Sequence, residues 1–231
     1  MDSSSKPAQA FKAIVFDAYG TLFDVHSVVS LGERFFPGSG DALSQLWRQK
    51  QLEYSWLRAM SKRYKPFWEI TRDALRFACE RLGLALDAQR EADLMDQYAR
   101  LSAFPENLQA LRELKDSGFR LGILTNGNRE MIDAAVRSAG MNGLFEHVLS
   151  SDAVQTFKTM DQIYDLAPKA FGCSAREILF VSSNCWDAIG SRWYGFTSFW
   201  INRAGMPLDQ LDTEPNHTGR LLTDVLALVR G

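Results

Sequence analysis

Apolar and polar positions change rhythm twice along this chain. The run Phe11-Lys12-Ala13-Ile14-Val15-Phe16 is short, apolar and stops at Asp17. That is the pattern of a buried strand delivering a residue at its carboxyl end. Gly20 then permits a tight turn. From about Val25 to Ser102 the texture becomes long helix-period segments rich in Leu, Gln, Glu and Arg, with few turn residues apart from Pro37-Gly38 and Pro66. This block predicts an all-helical insertion. After Pro105 the alternation returns. The pattern predicts helices over 106–117, 129–139, 161–171, 186–194 and 220–229, and strands over 120–125, 147–150, 177–182 and 197–201.

Strands alternating with helices imply an α/β fold, a doubly wound, mostly parallel sheet of Rossmann-like type. The expected division is an α/β core over 11–24 and 103–231, a helical cap over 25–102, and a frayed, disordered tail over 1–10. Sheets of this kind bind ligands beyond the carboxyl ends of their strands, near the point where strand order reverses. Three polar clusters fall at such ends: Asp17-Tyr19-Thr21, Thr125-Asn126-Gly127 and Ser182-Ser183-Asn184-Asp187. Lys158 lies in a fourth connection.

Composition narrows the function classes. The chain has 231 residues, 46% hydrophobic and 23% charged, enough for a core plus a sizeable insertion. Its 26 basic and 28 acidic residues leave a formal charge of −2, with no global field to draw nucleic acid or an anionic membrane. Small-molecule chemistry is the expectation. Cys79, Cys173 and Cys185 are an odd number at scattered spacings, which suits reduced thiols in a cytoplasmic protein. No stretch approaches the roughly 18 apolar residues of a membrane-spanning helix, and the Ser-rich start is not a secretory signal.

The chemistry begins with an absence. Asp17 opens Asp-Ala-Tyr-Gly-Thr, but Tyr19 stands where a metal-dependent phosphatase would carry a second acid. The stretch Phe180 to Asp187 likewise offers one carboxylate where such an enzyme binds magnesium. Too few hard oxygen charges remain to hold that ion firmly. A carboxylate is nonetheless a competent nucleophile for displacement at carbon, giving an ester that water can later hydrolyse. Asp17 is the candidate, beside the alternative of a helix N-cap.

The Asp-x-Tyr-Gly-Thr-Leu-Phe-Asp-Val-His start resembles the haloacid dehalogenase superfamily. Three further runs resemble its L-2-haloacid dehalogenase branch: Trp47-Arg48-Gln49-Lys50-Gln51-Leu52-Glu53-Tyr54, Ile123-Leu124-Thr125-Asn126-Gly127, and Ser182-Ser183-Asn184-Cys185-Trp186-Asp187. The resemblance implies that Lys158 supplies the cation beside Asp17, that Arg48 and Asn126 receive the departing halide, and that Thr125 helps bind the substrate carboxylate. Thr21 would fix the attacking oxygen by a hydrogen bond. Asp187 is the expected base for the hydrolytic water, with Ser183 and Asn184 positioning water or Lys158, and Ser182 in the same cluster. Tyr19, Ala18, Leu52, Phe67 and Trp186 are expected at the substrate, and Tyr164 close by. Each has a plainer reading: Lys158 and Arg48 as surface cations, Asp187 as a first-turn residue, and Tyr164 and the aromatics as core.

The resemblance implies hydrolysis of short L-2-haloalkanoic acids to D-2-hydroxy acids without metal or organic cofactor. Alternatives on the same scaffold are ring opening of an azetidine-2-carboxylate, a magnesium phosphatase and a catalytically silent binding protein. A homodimer paired through cap helices is implied as well. Thr159 departs from the proline usual after the lysine, which would loosen that loop.

Overall fold

A computed structural model describes residues 11–230; the expected tail over 1–10 lies outside them. Six strands form one parallel sheet: β1 (Ala13–Phe16), β2 (Arg120–Thr125), β3 (His147–Ser150), β4 (Ile178–Ser182), β5 (Thr197–Ile201) and β6 (His217–Gly219), in the order β3-β2-β1-β4-β5-β6. The reversal lies at β1, which pairs with β2 through Ala13↔Arg120 and with β4 through Ala13↔Ile178. β1 and β4 are buried along their whole length, as a sheet covered on both faces requires. Their carboxyl ends carry Asp17 and the 183–187 turn.

Between β1 and β2 run α1 (Val29–Phe35), α2 (Gly40–Met60), α3 (Phe67–Arg81), α4 (Ala88–Ala99) and α5 (Asn107–Asp116). The two chain crossings lie side by side: Phe23 bridges Ala103, and the Asp24 N–H donates to the Ser102 carbonyl at 2.8 Å. On α2 the buried residues Leu43, Trp47, Gln51, Ser55 and Ala59 recur every four positions. The neighbouring row at 48, 52 and 56 lies one ridge over. That second row carries Arg48 and Leu52.

The later helices are α6 (Arg129–Ser138), α7 (Asp161–Tyr164), α8 (Leu166–Phe171), α9 (Cys185–Tyr194) and α10 (Thr223–Arg230). Three differences from expectation have local causes. The helix over 161–171 is two, because Pro168 lacks the N–H that would bond to the Tyr164 carbonyl four residues earlier. The last helix starts at Thr223, after a turn in which Asp224 Oδ2 accepts the Arg220 and Leu221 N–H groups at 2.6 and 3.0 Å. Strand β6 was not expected: three residues are too short to show a period, and its place comes from pairing Phe199↔His217. Among the described residues no helix is long and apolar enough to cross a membrane.

Candidate active site

Asp17 is 5% exposed, and both of its carboxylate oxygens accept hydrogen bonds. Oδ2 accepts from Thr21 Oγ1 at 2.9 Å and from Asn184 Nδ2 at 2.9 Å; Oδ1 accepts from Lys158 Nζ at 2.9 Å. These partners are side chains, so the N-cap alternative falls. The Thr21 hydroxyl also accepts the Ser183 N–H at 2.8 Å. Its proton is thereby committed to Asp17.

Lys158 is fully buried. Its ammonium lies 2.8 Å from Asp187 Oδ2 as well as 2.9 Å from Asp17 Oδ1, and sits 4.9 Å over the Phe180 ring. Burial works against its charge, but the two carboxylates outweigh it and hold its pKa above the usual lysine value. The surface-lysine reading does not survive.

Asp187 is also fully buried, in the first turn of α9. Its carboxylate caps no backbone. Oδ1 accepts from the Tyr164 hydroxyl at 2.8 Å while Oδ2 holds Lys158. Burial pushes Asp187 up to about 6; Lys158 pulls down and Asp17 adds to the rise. Burial likewise raises Tyr164, keeping it a donor. Gly190 permits this approach, since a Cβ there would sit 2.8 Å from the Tyr164 hydroxyl and 2.5 Å from Thr159 Cγ2. Thr159, which stands in place of the expected proline, lies close against Gly190.

A small cavity opens beside Asp17, lined by Asp17, Tyr19, Arg48, Leu52, Phe67, Thr125, Asn126, Asn184 and Trp186. All nine were expected from the sequence. The hydrogen bonds settle which way the polar groups face. Asn126 Oδ1 accepts the Lys158 N–H at 2.8 Å, leaving its amide N–H groups for the cavity. Thr125 Oγ1 accepts the Gly127 N–H at 3.0 Å, leaving its hydroxyl proton. Arg48 reaches across from α2 to the Tyr19 carbonyl at 3.2 Å and to Asn184 Oδ1 at 3.4 Å. Opposite one buried carboxylate, the cavity therefore presents donors and a guanidinium, the arrangement an anionic group needs.

The remaining walls are apolar. Tyr19 stands 6.1 Å from Phe67 and stacks on Tyr98 at 5.9 Å; Trp186 meets Trp56 edge-on at 5.4 Å. Gly127 admits the Tyr19 ring, because a Cβ there would lie 2.6 Å from Tyr19 Cε2.

Some expected residues stand elsewhere. Neither Ser183 nor Asn184 reaches Lys158: Asn184 is drawn to Asp17 and Tyr19, and the Ser183 hydroxyl is buried without a partner. Ser182 accepts the Asn184 N–H at 3.1 Å and so shapes the turn without touching Asp17 or Lys158. Ala18 does not line the cavity; its carbonyl accepts the N–H groups of Thr21, Leu22 and Phe23 and folds the chain back. Sequence reasoning missed Gln51, Thr71 and Tyr98, which hold Arg48 from behind. Gln51 follows Arg48 by three positions on a helix, the spacing that lets side chains meet.

The family model for haloacid dehalogenase-like hydrolases matches residues 11–195. The chain is 51% identical over 205 residues to an (S)-2-haloacid dehalogenase of Pseudomonas sp. (strain YL), covering 89% of this chain and 88% of the relative. It is 47% identical to an (S)-2-haloacid dehalogenase of Pseudomonas putida, covering 93% and 94%. Among solved structures, an L-2-haloacid dehalogenase superimposes with a TM-score of 0.94 at 55% identity, covering 96% of this chain and 100% of that one. The L-2-haloacid dehalogenase of Xanthobacter autotrophicus with chloropropionic acid covalently bound gives 0.91 at 38% identity, covering 96% and 99%. Carrying the same fold and these motifs at their strand ends, the chain belongs to the haloacid dehalogenase-like hydrolases, in their L-2-haloacid dehalogenase branch.

Proposed function

We propose that the protein hydrolyses short L-2-haloalkanoic acids to D-2-hydroxy acids through an ester on Asp17, without a metal. The observation that carries this reading is the donor-lined cavity facing a buried carboxylate held by Lys158. The covalent adduct in the Xanthobacter relative supports it. So does the Lys158 ammonium, which lies 2.9 Å from Asp17 Oδ1 and 2.8 Å from Asp187 Oδ2 and supplies the positive charge between the two carboxylates.

In this reading the substrate carboxylate meets the Thr125 hydroxyl, and the halogen points to Arg48 and Asn126. Both in-plane lone pairs of Asp17 Oδ2 are occupied, so Oδ1 keeps one free and attacks C2. A carbon–oxygen bond forms with inversion as the carbon–halogen bond breaks, and halide leaves with the electron pair. Alignment of this kind lowers a barrier by several kcal/mol. Water then attacks the ester carbonyl of Asp17 and Asp187 takes its proton. The intermediate collapses, the alkoxide departs with the former Oδ1 and takes the proton back from Asp187, and the new carboxyl group, now carrying the water oxygen, releases its proton to solvent and is again a carboxylate. Esterification removes the Asp17 charge that helps raise Asp187, so the base is ionised when it is needed.

The substrate sits, on this proposal, between an α/β core of 11–24 and 103–231 and a helical cap of 25–102. A cytoplasmic setting is supported by three free cysteines among the described residues. The proposed assembly is a homodimer, supported by exposed Leu57 and Met60 on α2 and checked by light scattering.

The deciding experiment is halide release from L-2-chloropropionate in EDTA, beside D-2-chloropropionate and a phosphate ester with magnesium. Release from the L-acid alone is expected. Absence of halide, or activity only with magnesium, overturns the reading.

A further inference from the structure

Among the described residues the hydrogen-bond acceptors of Arg48 are neutral oxygens: Gln51 Oε1 at 2.7 Å from NH1, and from NH2 the Tyr19 carbonyl at 3.2 Å and Asn184 Oδ1 at 3.4 Å, with the Tyr98 hydroxyl beside it. Gln51 is fully buried and all its polar atoms are used. Oε1 also accepts from the Tyr98 hydroxyl at 3.0 Å, and Nε2 donates to Thr71 Oγ1 at 2.6 Å.

The orientation of this amide is forced. Thr71 spends its own proton on the Phe67 carbonyl at 2.8 Å, so its oxygen can only accept from Gln51. The amide nitrogen must face Thr71, and the amide oxygen must face Arg48 and Tyr98. Two donors converge on that oxygen, and no group of like polarity opposes it. The same chain of bonds fixes the backbone of Phe67, whose ring is a cavity wall.

A carboxylate at this position would grip Arg48 more strongly, and bidentate pairs of that kind are common. It would also cancel the positive charge beside the cavity. In a poorly solvated site a unit charge acts strongly over a few ångströms.

We propose that Gln51 is a positioning residue for Arg48: a neutral acceptor that aims the guanidinium at the cavity while leaving its full charge for the departing halide. The proposal rests on the reading above, in which Arg48 receives the halide. Its consequence concerns the leaving group. Chloride carries its charge in a smaller volume than bromide, so it draws more stabilisation from the guanidinium. A weakened field therefore costs the chloro substrate more.

The test compares kcat/KM for L-2-chloropropionate and L-2-bromopropionate on one preparation, a ratio that does not depend on how much protein is folded. Gln51→Glu is expected to lower chloride release on the order of 100-fold and bromide release about tenfold. The ratio then moves about tenfold toward bromide. Gln51→Met keeps the bulk and removes the acceptor without adding charge. Its expected result is a lower kcat for both substrates, with KM within about twofold of the parent and the ratio unmoved. Arg48→Gln, which removes the charge, separates the two levels of inference. An unchanged ratio in Arg48→Gln overturns the reading of Arg48 as halide ligand. A shifted ratio there, with none in Gln51→Glu, overturns the role of Gln51 alone. Wild-type kcat in Gln51→Met overturns it as well, which keeps the proposal decidable should Gln51→Glu not fold.

Discussion

The ammonium of Lys158 lies 2.9 Å from Oδ1 of Asp17, with the lysine side chain 1% exposed and the aspartate 7%. The same nitrogen bonds Asp187, so one cation serves two carboxylates that water scarcely reaches. Removing it leaves two like charges facing each other in a low-dielectric site. Lys158→Met is therefore expected to abolish halide release and to destabilise the fold by about 3–5 kcal/mol. Chemical denaturation and halide titration on the same sample check both.

Asp17→Asn keeps the volume but removes the charge of the proposed nucleophile. Its expected turnover is nil, with the fold intact by circular dichroism. Asp187→Asn should still form the ester and fail to hydrolyse it. Mass spectrometry after mixing with L-2-chloropropionate should find the acyl adduct on Asp17; an unmodified protein would remove Asp187 from the base role.

The acid limb of the pH profile follows from Asp187. Burial lifts it to about 6, so the ionised base is lost as pH falls through that value. Because the ester has removed the Asp17 charge that helps raise this base, turnover at saturating substrate should fall with one proton at a pH lower than the resting value, while kcat/KM follows the free enzyme. The stability sign is the reverse of the usual carboxylate case. A folded pKa above the unfolded value of about 3.9 means that the folded state binds the proton more readily. This group's contribution is full at low pH and is lost as pH rises toward 6. Lys158, held above the ordinary lysine value by its two partners, contributes stability that is lost only as pH rises beyond that range. Rates and denaturation midpoints measured between pH 4 and pH 11 test both limbs.

Gly127→Ala places a methyl 2.6 Å from Tyr19 Cε2. Overpacking of this kind costs about 1–3 kcal/mol. Because Tyr19 forms a cavity wall, the variant should raise KM for the haloacid as well as lower the melting temperature.

Much of this was legible in the sequence because its signals are local. Asp17 ends a short apolar run, Thr125 ends another, and Asn184 and Asp187 open a helix after a third. Their convergence follows once the strands lie parallel. What stayed hidden depends on pairings between distant segments. The amide of Asn126 is turned by the backbone of Lys158, 32 positions later. Ser183 and Asn184 looked placed for Lys158, yet the carbonyl of Tyr19 and the carboxylate of Asp17 claimed Asn184 first. Gln51 read as one more polar residue on a helix, since nothing in its neighbours announces Thr71 or Tyr98. Strand β6 had no period to read in three residues, only a partner.

The paired crossing at Phe23–Ala103 and Asp24–Ser102 makes the intervening block exchangeable at one place. Asp17, Lys158 and Asp187 lie outside the segment between the two crossings, and Arg48, Gln51, Leu52 and Phe67 lie within it, joined at a single doorway. On the proposed roles, mutation in the helical block would retune which halogen is released while Asp17, Lys158 and Asp187 are left untouched. Exchanging that block between relatives at this doorway should carry halogen preference with it, as a trait separable from the reaction itself.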